Sequence, residues 1–208
     1  MVSPAHREGR NRRSDDASVP DEPGVDGDLA MHWLVFNVLG FQAVWWACVI
    51  GAGKGWPWAG PVAAVLYAAA HLQFSPTRRR DVRLLASALV VGLVLDGSLG
   101  ASGLLTYAAA GEVRHIAPPW ILALWAGFAL TLTHSMAALA TRPWAAAALG
   151  VLGGPLAYAS AASVAGAVRF DNGMVEGLVA IAIGWGVAIP LLYGIDKHLA
   201  KNEREAIA

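Results

Sequence analysis

Charge and cysteine are what this sequence has least of. Lysine, arginine, aspartate and glutamate make up 14% of its 208 residues, against about 25% in soluble domains. Lipid is therefore the expected solvent for most of the chain. The formal net charge is zero, so no global attraction favours nucleic acid as a partner. The lone cysteine, Cys48, sits in an apolar run. One cysteine forms no intramolecular disulfide and no CxxC metal or redox pair. Six histidines (His6, His32, His71, His115, His134 and His198) are too few for the many-histidine clusters of membrane di-iron hydroxylases and desaturases. HExxH, a Walker A lysine loop, a GxGxxG after a strand and a GxSxG elbow are all missing. Ser135 directly follows His134, but adjacent helical residues lie about 100° apart and do not form a nucleophile–base pair by themselves. These absences give no reason to expect a cofactor or a metal, and they lean against an enzyme.

What is present is apolar. Hydrophobic residues make up 56% of the chain, mean hydropathy is +0.49, and there are nine tryptophans and 23 glycines. That mixture suits a membrane bundle with interfacial anchors and close helix contacts. Six apolar segments, at about 32–51, 57–74, 84–107, 118–140, 144–168 and 174–195, each approach the roughly 20 residues needed to cross a bilayer. Their connections are short, which makes sequence neighbours antiparallel neighbours. The expected fold class is all-α: a polytopic bundle of six transmembrane helices over residues 31–196. It is preceded by a disordered polar tail over 1–30 and followed by a short cytoplasmic tail over 197–208. The N-terminal tail has no apolar stretch of its own and does not read as a cleavable signal peptide. Met31, at the edge of the apolar region, is the alternative expectation to Met1 for where translation starts.

Basic residues set the orientation. Arg78, Arg79, Arg80, Arg83, Arg142, Lys197, Lys201 and Arg204 fall on one side, against Lys54, Arg114 and Arg169 on the other. Both termini are therefore expected in the cytoplasm. The run Arg78-Arg79-Arg80 with Arg83 is a topology determinant that would also attract anionic lipids. Pro57-Trp58-Ala59 is echoed by Pro143-Trp144-Ala145. Either the chain carries an inverted repeat, as many transporters do, or interfacial physics places Pro and Trp at helix starts.

The stretch from Pro118 to Leu139 organises the rest. It has no lysine or carboxylate, and a continuous helix there would put Thr131, His134 and Ser135 on one face. Asn37, Gln42, His71 and Asp96 supply further polarity from three other helices. On a common depth scale these residues fall in the cytoplasmic half or near the midplane, whereas Tyr158, Ser160 and Ser163 fall in the opposite half. A polar, ligand-binding cavity open to the cytoplasm follows, lined by Asn37, Gln42, His71, Asp96, Thr131, His134 and Ser135. A mid-span carboxylate costs at least ~2.5–3.5 kcal/mol, so Asp96 should face protein or water. Gly92, Gly100 and Gly103 share its helix face. It is either a proton carrier or ligand anchor, or a carboxyl that fixes helix register.

The chain resembles a bacterial inner-membrane family known as domain of unknown function twenty-eight seventy-eight, over about residues 33 to 193. The likeness rests on Asn37, Gln42 and Trp45-Trp46; on Pro118-Pro119-Trp120, Leu124-Trp125 and Phe128; on Thr131-Leu132-Thr133-His134-Ser135; and on Gly153-Gly154-Pro155-Leu156-Ala157-Tyr158. Family members usually carry Asn where this chain has Thr133. The resemblance implies a multi-pass location in the bacterial inner membrane and, through neighbouring genes for fatty-acid-modifying enzymes, a link to lipid metabolism or envelope stress.

Three functions are open on these grounds. The first is a non-enzymatic protein that binds or moves a lipid-like or small amphipathic ligand. The second is an intramembrane enzyme or subunit in fatty-acid modification, with His134 or Asp96 in acid–base roles. The third is a membrane docking partner for a soluble lipid-modifying enzyme, reached through Arg78–Arg83 and the Lys197–Arg204 segment.

Overall fold

The computed structural model describes residues 25–111 and 116–207. Among the described residues the chain forms α1 (Val25–Gly53), α2 (Ala59–Phe74), α3 (Arg78–Ala101), β1 (Leu105–Tyr107), α4 (Pro119–Leu132), α5 (Pro143–Ala165), β2 (Val168–Phe170) and α6 (Met174–Ile207), with a 3-10 helix at Ala137–Thr141 before α5. Four helices, Gly27–Gly53, Arg78–Ala101, Pro143–Ala165 and Met174–Lys201, are long and apolar enough to cross a membrane. Two are shorter: α2 has 16 residues and α4 has 14, or roughly 24 and 21 Å at 1.5 Å per residue.

The six apolar segments each yield a helix, but several boundaries need correction. The polar tail expected to reach residue 30 gives way to α1 at Val25, while residues 1–24 lie outside the described residues. The arginine run expected as a connection is the first turn of α3, with Asp81 at the favourable N-terminal end of the helix dipole. The third segment was expected as helix to 107, yet α3 stops at Ala101. Gly103 turns the chain at φ +72°, so it leaves the helix face on which Asp96 was placed. Residues 105–107 then pair antiparallel with 168–170, Thr106 opposite Arg169. The fifth segment stops at Ala165, where Gly166 takes the left-handed capping conformation. The sixth continues to Ile207 instead of ending near 195, so the expected tail over 197–208 is largely helix, with Lys201 and Glu205 paired at 3.6 Å.

The largest departure is at the fourth segment. Helix was expected to residue 140, but α4 ends at Leu132. Thr131, His134 and Ser135 therefore do not form one helical stripe; the last two stand in the turn that follows. Around α4 the rest of the bundle is assembled. It packs against α1, α2 and α3, and Trp120, Ile121, Trp125, Leu130 and Leu132 are all buried. A helix apolar on every side belongs in such a core. The outer surface instead carries a belt of exposed Leu39, Val65, Val90, Val94, Leu152, Leu156 and Ile183, as contact with lipid tails requires.

The bundle has two chemically different ends. One carries Arg78, Arg79, Arg80, Arg142, Lys197 and Lys201 and is called the basic end below. The other is closed by the β1–β2 pair. There Thr106 Oγ1 donates to Asp171 at 2.5 Å and Arg169 Nε at 2.7 Å. The Thr106 hydroxyl and the Arg169 guanidinium hold the Asp171 carboxyl below its ordinary range.

Small residues let α5 and α6 approach each other closely. A Cβ at Gly150 would fall 2.1 Å from the Trp185 carbonyl oxygen, whereas one at Gly153 would meet only a Leu149 methyl at 3.6 Å. Backbone cannot yield as a side-chain end can. Gly150→Val is therefore expected to lower the melting temperature in detergent by well over 5 °C, roughly the effect of more than 1–3 kcal/mol of overpacking, while Gly153→Ala leaves it unchanged. Thermal unfolding followed by circular dichroism reads both.

Candidate functional site

A helix that stops inside a bundle leaves its last carbonyls without intrahelical partners. In α4 they are taken up by side chains from other helices. Asn37 of α1 donates Nδ2–H to the Leu130 carbonyl at 2.9 Å and accepts the Ser135 backbone N–H on Oδ1 at 3.3 Å. Its other amide proton goes to Tyr67 Oη at 2.9 Å, and Tyr67 donates back to the Asn37 carbonyl at 3.1 Å. Tyr193 of α6 donates to the Leu132 and Met136 carbonyls, at 3.3 and 2.8 Å. Thr131 turns its hydroxyl back to the Phe128 carbonyl at 2.6 Å, a usual habit of Thr within helices.

The turn so held presents Thr133 and His134 to Asp81. Thr133 Oγ1 donates to Asp81 Oδ1 at 2.7 Å. His134 Nε2 lies 3.3 and 3.2 Å from the two carboxylate oxygens, and His71 Nε2 lies 3.4 Å from Oδ2. Ser75 and Thr77, in the link between α2 and α3, add their hydroxyls. His71 and Asp81 are fully buried, and His134 is 7% exposed. Three ionisable side chains from three segments thus share one water-poor point. Helix dipoles favour this arrangement: Asp81 stands in the first turn of α3 and His71 in the last turn of α2.

An indole settles the tautomer of one imidazole. Trp33 Nε1–H donates to His134 Nδ1 at 3.0 Å. Because indole nitrogen only donates, Nδ1 is unprotonated and the ring proton of neutral His134 sits on Nε2, facing Asp81. His71 has only a longer contact of this kind, its Nδ1 lying 3.5 Å from Asn37 Nδ2. Its ring crosses that of His134 edge-on at 4.6 Å, yet its Nε2 makes no hydrogen bond.

A second polar cluster surrounds Asp96 of α3, also fully buried. Its carboxylate accepts from Tyr107 Oη at 2.8 Å, from Trp125 Nε1 at 2.6 Å and from Tyr158 Oη. Gly92 makes room for the Trp125 ring, since a Cβ there would lie 2.2 Å from it. Trp125 in turn stacks on Trp185 with centroids 4.3 Å apart. Asp96 thus ties α3 to β1, α4 and α5.

An apolar groove of about 490 Å³ runs between α1 and α5. Its floor is Trp125 and Phe128 of α4, and its walls include Phe41, Trp45, Gly153, Ala157 and Trp185. Gln42 lies on its rim, exposed, and forms no hydrogen bond with any described residue.

The protein family described as "Protein of unknown function (DUF2878)" matches residues 34–191. The chain belongs to this family. The DUF2878 region contains the residues of both polar clusters except Trp33, one position before it, and Tyr193, two positions after it. Neither a curated protein nor a solved structure matches the chain.

Within the DUF2878 fold the seven residues expected to line one cavity are divided. Asn37, His71, Thr131, His134 and Ser135 meet at the end of α4. Gln42 stands at the groove. Asp96 lies in its own cluster with Tyr158, a residue expected in the opposite half of the membrane. Neither histidine joins Asp96; both face Asp81, which sequence reasoning assigned to a connection. The available signal was spacing. Only Ser75, Pro76 and Thr77 separate α2 from α3, so His71 near the end of one helix and Asp81 near the start of the next must be neighbours.

Replacing Asn37 with Leu leaves the buried Leu130 carbonyl unpaired, at about 1–3 kcal/mol, and frees the part-buried Ser135 N–H. The expected result is a clear fall in melting temperature. Thr131→Val, which removes a bond within its own helix and a weak one to Met136 Sδ at 3.5 Å, should fall much less in the same thermal scan.

Proposed function

We propose that this DUF2878 protein is a multi-pass protein of the bacterial inner membrane, with its basic end in the cytoplasm, that holds a lipid-like amphiphile in the groove between α1 and α5. On this reading the two short helices, α2 and α4, join the four long apolar ones in a six-helix membrane domain. Basic residues gathered at one end support the orientation. The depression of about 960 Å³ between the start of α3 and the end of α6, where Arg78, Arg79, Arg80, Arg83, Lys197 and Lys201 outnumber Asp196 and Glu205, suits anionic headgroups.

One observation carries the ligand reading: the unpartnered amide of Gln42 beside an aromatic-lined groove. An amide left unpaired in an apolar surrounding costs several kcal/mol on hydrocarbon scales. An amphiphile with a hydroxyl or carbonyl group offsets that cost while its chain lies against Phe41, Trp45 and Phe128. The volume falls within the roughly 300–1,000 Å³ of small-molecule sites. The groove lining does not include His71, Asp81 or His134, so the histidine centre is not the ligand's chemical partner and a non-enzymatic role fits best.

Native mass spectrometry of protein purified in mild detergent tests this. Wild type is expected to retain one co-purified amphiphile, and Gln42→Leu and Ala157→Trp to lose most of it. Gln73→Leu, away from the groove, should retain it. An empty wild-type protein, or equal retention in all variants, contradicts the reading.

A further inference from the structure

The His71–Asp81–His134 centre has a geometry that hydrogen bonding alone leaves incomplete. His71 is fully buried, and its Nε2 points at a carboxylate oxygen 3.4 Å away without making a hydrogen bond. Two ligand atoms on a tetrahedral metal, each about 2.0–2.1 Å from it, lie about 3.3 Å apart. The two imidazole-to-carboxylate separations, 3.4 and 3.2 Å, match that edge. One donor atom from each of the three residues falls within 4.8 Å of the others. We propose that His71, Asp81 and His134 form a binding site for a first-row divalent metal ion of the zinc class.

The donor set is two neutral imidazoles and one carboxylate, which suits Zn²⁺ and its neighbours better than Mg²⁺ or Ca²⁺. Three protein ligands leave a fourth position for water or another ligand. The surroundings supply outer support: Ser75, Thr77 and Thr133 hydroxyls donate to the Asp81 carboxylate, as groups around a ligating carboxylate do. Thr77 also borders the open depression at the basic end, so the centre lies one side chain from water.

Trp33 gives the proposal a distinctive consequence. While its N–H occupies His134 Nδ1, the ring proton is on Nε2. A metal needs the Nε2 lone pair, so on binding the proton moves to Nδ1 and the indole must swing away. Trp33 therefore opposes metal binding, and removing it should strengthen binding.

The test is titration of the full chain with Co²⁺, purified in detergent without a histidine tag and stripped with chelator. Wild type is expected to bind one Co²⁺ with the visible bands of a tetrahedral site, displaced by Zn²⁺. His71→Ala and His134→Ala should weaken binding at least about 100-fold and Trp33→Phe should tighten it about 10-fold, the scale of ligand and outer-sphere effects. His32→Ala, at an exposed histidine, should change nothing. Where a histidine variant does not fold, the wild-type spectrum and Trp33→Phe carry the test. A folded wild type that gives no such bands overturns the proposal. So does binding that survives in folded His71→Ala, or that Trp33→Phe weakens.

Discussion

A polar backbone cannot end in an apolar interior without partners, and this requirement shapes the bundle around α4. Fourteen residues make a helix shorter than a bilayer core, yet almost every side of it is buried. Its Leu130 and Leu132 carbonyls are taken by Asn37 from α1 and Tyr193 from α6. Non-helical backbone at this depth is tolerated only where protein encloses it. The enclosing side chains are also what bring Thr133 and His134 to Asp81. Helix termination, packing and the histidine centre are thus one arrangement.

The polar groups divide into two settings with different physics. Asp96 meets three strong donors, and its links to β1, α4 and α5 account for a buried carboxyl by structure alone. Asp81 is equally buried, but two of its neighbours are imidazoles, and one of them has an unsatisfied nitrogen. A cluster that is complete rigidifies, whereas one that is incomplete invites a further partner. The groove is a third setting, apolar and open to the side, with Gln42 at its rim and the buried Trp185 Nε1 in its wall left without hydrogen-bond partners among the described residues.

Much of the fold was legible because hydropathy over twenty residues is a strong signal. The helices fall where the apolar segments stand. The ends were less legible. Thr131-Leu132-Thr133 reads as apolar continuation, and nothing local reveals that Asn37, nearly a hundred residues earlier, will take the Leu130 carbonyl. Leu105-Thr106-Tyr107 likewise reads as the tail of a helix until its partner at 168–170 is known. At the site, Asn37, His71 and His134 were recognisable as polar residues in apolar helices. Asp81 was hidden by its neighbours, since a carboxylate following three arginines looks like a solvated loop. Asp96 was correctly seen as buried, but depth along a helix axis does not say which helices it faces.

The central claim is that the end of α4 is a closed polar centre in which Trp33, His134 and Asp81 form one hydrogen-bonded line. Nitrogen-15 NMR of the histidine side chains in the metal-free protein, with His134 assigned by its absence in His134→Ala, tests it most directly. The account predicts a neutral ring protonated at Nε2, with Nδ1 in the shift range of a hydrogen-bond acceptor. A His134 ring protonated at Nδ1 would contradict it.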